Sequence, residues 1–141
     1  SVTGVQTCAL PIFERLKDGE ADPTNQRARY KEAQPFLGKA SKLNPDRWQT
    51  LWAYARSRSL DPDYPTQNTL NVLLLAHELA PQVGPLSFDT ADALSRRGKD
   101  AEAESLFALL ANNPHGGSVA EKAREQVNRL RAKRGASAAA G

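Results

Sequence analysis

An all-α fold built from antiparallel helical hairpins is predicted by three features of this 141-residue chain. The first is a pattern of small, apolar and proline residues that occurs three times. It reads Ala33, Leu37, Ala40 and Leu43-Asn44-Pro45, then Thr69, Leu73, Ala76 and Leu79-Ala80-Pro81, then Ala103, Phe107, Leu110 and Asn113-Pro114. Pro45 to Pro81 spans 36 residues and Pro81 to Pro114 spans 33. A near-constant period of this size marks stacked supersecondary units, each unable to bury its apolar face alone. The second feature is that no segment sustains the period-two alternation of a half-buried strand. The third is that helix breakers and caps fall between the apolar stripes.

Taken in order, Asp22-Pro23 offers an N-cap followed by proline at the first helical position, where a missing N–H is harmless, so a helix is expected to start there. Pro35 either lies in a first turn or kinks a longer helix. Asn44-Pro45-Asp46 breaks that helix and caps the next, whose Trp48, Leu51, Trp52 and Ala55 share one face. At least one of the two tryptophans is expected in the core. Asp61-Pro62-Asp63-Tyr64-Pro65 is a turn, after which Thr66 caps a Leu70-rich helix. Ser87 is the expected cap of a helix running through Arg97 and ended by Gly98. Pro114 with Gly116-Gly117 ends another helix, and Ser118-Val119-Ala120-Glu121 reads as a capping box for the last. That last helix carries Val119, Ala123, Val127 and Leu130 on one stripe, suited to closing the end of a helical stack. Residues 135–141 are rich in small side chains and are expected to be disordered.

On these residues the chain resembles the tetratricopeptide repeat family, whose unit is a helix-turn-helix of about 34 residues. The three aligned segments resemble the family's second helix; Gly98, Ala103 and Phe107 match best, and Ala55 and Ala91 stand at the small position of the first helix. The Asp61 to Pro65 turn is about two residues longer than the family pattern. The resemblance implies a short solenoid with a C-terminal capping helix. Its organisation would be a linker over 13–22, then a repeat domain over 23–134 divided at about 23–45, 46–81 and 84–114, with the cap over 118–134.

Residues 1–12 are read differently. Val2 to Ile12 is similar, codon for codon, to the translation of a common short-read sequencing adapter, with one T left over that can open the codon of Phe13. The chain has no methionine. The expectation is an adapter-derived, non-native stretch joined to the C-terminal part of a larger bacterial protein, whose compartment and targeting signal lie upstream. Cys8 is the sole cysteine, and it falls within this stretch. The rest of the chain therefore offers no thiolate nucleophile, disulfide or cysteine ligand.

Nineteen basic residues stand against sixteen acidic ones, a net charge of +3. That balance supports solubility without pointing to nucleic acid. Lys122, Arg124, Arg129, Arg131, Lys133 and Arg134 do crowd the last helix, but no aromatic residue is interleaved for base stacking. No segment is long and apolar enough for a membrane span. His77-Glu78 matches the opening of the zinc-peptidase motif, yet the second histidine that would complete the metal face is replaced by Pro81. His115 lies in an Asn-Pro-His-Gly-Gly turn whose glycines suit an interhelical loop. No phosphate-binding loop or nucleophile elbow is present. No catalytic residue, cofactor or metal site is expected.

The family grips peptides on the concave face formed by its first helices. Carried over by position, that face would comprise Gln49, Trp52, Arg56 and Ser59 from one unit, and Phe88, Asp89, Asp92, Ser95 and Arg96 from the next. Trp52 is the expected hot spot, since tryptophan combines large contact area with few rotors. Asp89 and Asp92 argue against a C-terminal carboxylate as ligand. The function this implies is a non-catalytic protein-interaction module with a protein or peptide partner. The rivals are an accessory tail to an upstream peptidase-like or transferase domain, and weak nucleic-acid binding through the basic helix.

Overall fold

The computed structural model describes Leu16, Lys17 and residues 20–141. The adapter-like stretch 1–12 lies outside the described residues. Among those described, no strand occurs and six helices are delimited: α1 (Gln26–Leu43), α2 (Trp48–Ser57), α3 (Gln67–Leu79), α4 (Gly84–Arg96), α5 (Asp100–Ala111) and α6 (Gly117–Ala140). The chain divides into two compact units, Ser1–Leu79 and Ala80–Gly141.

In the first unit α2 packs against both α1 and α3. Leu16, Tyr30, Ala33, Leu37 and Ala53 form one buried cluster, with Tyr54 and Leu60 packed against it. Leu16 therefore belongs to the core, which corrects the expected linker over 13–22: Leu16, Lys17, Glu20 and Ala21 are helical. Helix α1 starts at Gln26, later than Asp22-Pro23 suggested, because Asp22 is occupied in the preceding turn. Its carbonyl accepts from the Asn25 N–H at 3.2 Å and its carboxylate from the Asn25 side chain at 2.9 Å. Pro35 lies inside α1, with helix on both sides of it. Gln34 donates to the Ser57 carbonyl at 2.9 Å, satisfying one of the orphan acceptors at the C-terminus of α2. Asp46 does not cap α2, whose N-cap is Arg47 without a side-chain bond. Thr66 does cap α3, its Oγ1 accepting from the Thr69 N–H at 3.1 Å.

In the second unit α5 is the central helix, packed against α4 and α6. Phe107 is fully buried there, as are Ala91, Ala93 and Ala103, and its ring meets that of Phe88 edge to face at 5.2 Å between centroids. Helix α4 begins at Gly84 with Val83 as N-cap, three residues before Ser87, whose hydroxyl instead donates to the Pro81 carbonyl at 3.4 Å. Its other end behaves as expected. Gly98 takes φ +78°, the Gly98 N–H donates to Ser95 O at 2.9 Å and the Lys99 N–H to Leu94 O at 2.9 Å, the paired bonds of a Schellman motif.

The turn before α6 depends on a second glycine. A Cβ on Gly116 would stand 2.6 Å from that of Ala120 and 3.1 Å from the Asn113 carbonyl, so no larger residue fits without displacement. With Gly116 as the N-cap and Gly117 at φ +54°, Ser118 is already inside the helix and the expected capping box is not formed. The far end also differs from expectation. Helix α6 runs to Ala140, so residues 135–140 are helical although exposed. Ala136 and Ala138 to Ala140 supply enough helix propensity to prolong a helix already nucleated by packing.

These burial differences set the first expected outcome. Phe107→Ala empties the centre of the second unit and is expected to cost about 3–5 kcal/mol. Leu109→Ala, at a side chain 72% exposed, should stay within about 0.5 kcal/mol. Urea unfolding followed by circular dichroism measures both. Comparable losses would contradict the placement of α5.

Candidate functional site

The first unit carries an aromatic and cationic face along α2. Trp48, Trp52 and Arg56 follow one another at intervals of four, so they line up on one side of the helix. The two indoles stack at 6.1 Å between centroids with 30° between their planes. The Arg56 guanidinium lies over the Trp52 ring at 4.9 Å and pairs with the carboxylate of Glu20. A cation over an indole contributes about 0.5–1 kcal/mol at an exposed position, enough to hold the arginine against the ring. Tyr30 stands close by. Burial, and then the negative charge of Glu20, push its phenol above the ordinary value, so it is a neutral hydrogen-bonding group at physiological pH.

Neither tryptophan is buried; Leu51 and Ala55 fill the interior instead, which corrects the expectation that one indole is core. Both rings border a cleft of about 350 Å³, lined by Leu16, Lys17, Arg47, Trp48, Gln49, Trp52, Ala53 and Arg56. Its volume lies at the small end of the range of ligand clefts, ~300–1,000 Å³. Three of the four residues assigned to this unit's face, Gln49, Trp52 and Arg56, are thus brought together. The fourth, Ser59, is exposed and its hydroxyl donates to the Arg56 carbonyl at 2.7 Å. Sequence reasoning omitted Trp48, although its spacing from Trp52 placed it on the same stripe. It also omitted Arg47, the N-cap of α2, and Leu16 and Lys17, which no local pattern connects to α2.

In the second unit the expected residues are more dispersed. Phe88 is half-buried against Phe107, so much of its ring serves the α4–α5 contact. Asp92 and Arg96 pair with each other at 2.8 Å. Ser95 accepts from Arg129 of α6 at 2.9 Å. Asp89 is half-buried on the same helix. Several of these residues engage one another and the neighbouring helices.

The basic helix α6 is largely met by acceptors within its own unit. Arg131 and Arg134 both pair with Glu104, at 3.0 and 2.8 Å, and Lys133 pairs with Asp100 at 2.6 Å. Arg124 donates to the Ala111 carbonyl at 3.0 Å, and Arg129 to Gln126 at 2.8 Å as well as to Ser95. Such exposed pairs contribute little stability, about 0–1 kcal/mol each, but they place compensating carboxylates beside three of the six cations. That reduces the field a phosphate backbone would meet. Among the described residues no helix is long and apolar enough to cross a membrane.

No protein-family model matches the chain, and no characterised protein matches it on sequence. Solved structures do. The chain is similar to the type III secretion translocator chaperone SycD of Yersinia enterocolitica, with 16% identity, a TM-score of 0.73, and coverage of 95% of this chain and 88% of that one. It is similar also to SycD in complex with a peptide of the translocator YopD, with 18% identity, a TM-score of 0.70, and coverage of 95% and 96%. At such identities the likeness concerns the fold, which is all-α and tetratricopeptide-like.

One titration is expected to be visible in stability. Burial of His77 on α3 holds its imidazole below the ordinary value of 6.5, so the folded state favours the neutral ring. An unfolded chain takes up that proton near pH 6.5. The contribution is therefore complete above this pH and lost as pH falls through the lower folded value. The urea midpoint should decline between pH 7.5 and 5, and His77→Gln should flatten part of that decline. An unchanged slope in the variant would show that His77 does not carry it.

Proposed function

We propose that this chain is a non-catalytic, tetratricopeptide-like module that binds a peptide segment of a protein partner, and that the α2 cleft is its principal site. The observation that carries this is the stacked Trp48–Trp52 pair left half-exposed beside Arg56 and Lys17. Two adjacent indoles outside the core keep apolar area available, and burying it is a gain for association that folding has left unused. The cleft combines this apolar base with cationic rims, the composition that anchors an apolar side chain while orienting a peptide backbone and its charges. The fold likeness to a chaperone solved with a bound translocator peptide supports the same reading.

On this reading the contribution of the chain is recognition and not chemistry.

Selection from a phage-displayed library of random twelve-residue peptides tests the site. Peptides enriched on the wild-type chain are expected to shift the emission of the two tryptophans, both of which lie in the cleft. Trp52→Ala should weaken them about 30-fold, equivalent to about 2 kcal/mol, with helical circular dichroism retained. Failure to enrich any peptide whose binding depends on Trp52 would overturn the proposal.

A further inference from the structure

A second groove lies within the first unit, on α1 and α3, and it is distinct from the tryptophan cleft. Helix α2 packs against both α1 and α3, and where those two outer helices stand apart a groove of about 700 Å³ opens. Leu51, Tyr54 and Arg58 of α2 contribute to it. Pro35, Gly38, Lys39 and Lys42 line it from α1, and Asn68 and Val72 from α3. It shares no lining residue with the tryptophan cleft.

Three observations bear on an occupant. The groove has no carboxylate in its lining, while Lys39, Lys42 and Arg58 supply three cations. Arg58 is partly neutralised by Asp61 at 3.1 Å, but its Nε is buried and lacks a hydrogen-bond partner. Lys39 and Lys42 are exposed and form no ion pair among the described residues. Finally, Gly38 keeps the groove open where neither packing nor backbone demands glycine. A Cβ there would meet the Tyr54 ring edge at 3.6 Å, an ordinary contact, in helical backbone. Glycine and proline are both unfavourable in a helix interior, yet α1 carries both on this wall.

We infer that the α1–α3 groove binds an acidic peptide segment, its carboxylates against Lys39 and Lys42 and its apolar side chains over Tyr54 and Val72. The volume is within the range of ligand sites, ~300–1,000 Å³, and the lining mixes cations with apolar surface, so a segment alternating acidic and apolar residues complements it better than a bare anion. This second site is independent of the tryptophan cleft.

The test uses a fluorescein-labelled decapeptide alternating glutamate and leucine, titrated by anisotropy into the full chain, with a lysine–leucine peptide and inorganic tripolyphosphate as comparison probes. The glutamate peptide is expected to bind, weakening about tenfold in the Lys39→Glu/Lys42→Glu variant and in Gly38→Leu, and changing less than twofold in Trp52→Ala. Gly38→Ala is expected to raise the melting temperature, which separates filling of the groove from loss of fold. Nuclear magnetic resonance shifts should concentrate at Gly38, Tyr54 and Asn68, not at the indole N–H groups. No binding, equal binding of the lysine peptide, or insensitivity to the lysine reversal would overturn the inference. So would loss on Trp52→Ala, which places the peptide in the other cleft, or tripolyphosphate competing at the same site with equal strength, which makes it a small-anion site.

Discussion

Close approach of neighbouring helices over small buried side chains governs the rest of this structure. Ala33, Thr69 and Ala103 occupy equivalent positions in α1, α3 and α5, and all are buried. Leu37, Leu73 and Phe107, four residues on in each helix, are buried too. Ala55 and Ala91 do the same for α2 and α4. A methyl group at the contact lets two helix backbones approach until a large residue one turn away interdigitates with the partner helix. A bulkier side chain at the small position would separate the pair and leave that large residue facing a void.

The same constraint leaves the two tryptophans of α2 outside the core. In α2 the interior positions belong to Leu51, Ala53 and Ala55, so Trp48 and Trp52 are left on the flank, where they stack on each other and receive Arg56. The candidate site is in this sense a by-product of a narrow core that has no room for indoles. Half-buried aromatic rings held by neighbours are preorganised for binding, because little rotamer freedom remains to be lost. In α4 an aromatic ring of the helix, Phe88, has a partner in Phe107 and serves the α4–α5 contact.

Helix ends show a division between steric and hydrogen-bonding control. Gly98 and Gly116 act through the absence of a Cβ, one by adopting positive φ and the other by allowing backbone contact with Ala120 and Asn113. Side-chain caps behave less regularly. Thr66 caps α3 as its position suggests, while Asp46, Ser87 and Ser118 do not cap, because the chain enters each helix at a point set by the preceding turn. A capping hydroxyl or carboxylate is worth only about 1 kcal/mol, and packing of the apolar stripe readily outweighs it.

The sequence by itself determined the helical class and the buried positions Ala33, Leu37, Thr69, Leu73, Ala76, Ala103 and Phe107, whereas Leu43 and Leu79 of the same pattern are exposed. The class and the buried positions follow from local periodicity and from residues whose backbone requirements are intrinsic, such as Gly98. The resemblance of the repeats named Gln49, Trp52 and Arg56, and all three line one cleft beside α2. The tertiary structure alone decided what the helix faces meet. Leu16 enters the core from a segment read as linker, and Lys17 joins the tryptophan cleft. Phe88 is drawn into a helix contact, and Glu104 meets Arg131 and Arg134 of α6. Each of these depends on residues brought together from different helices, and no one-dimensional pattern encodes that juxtaposition.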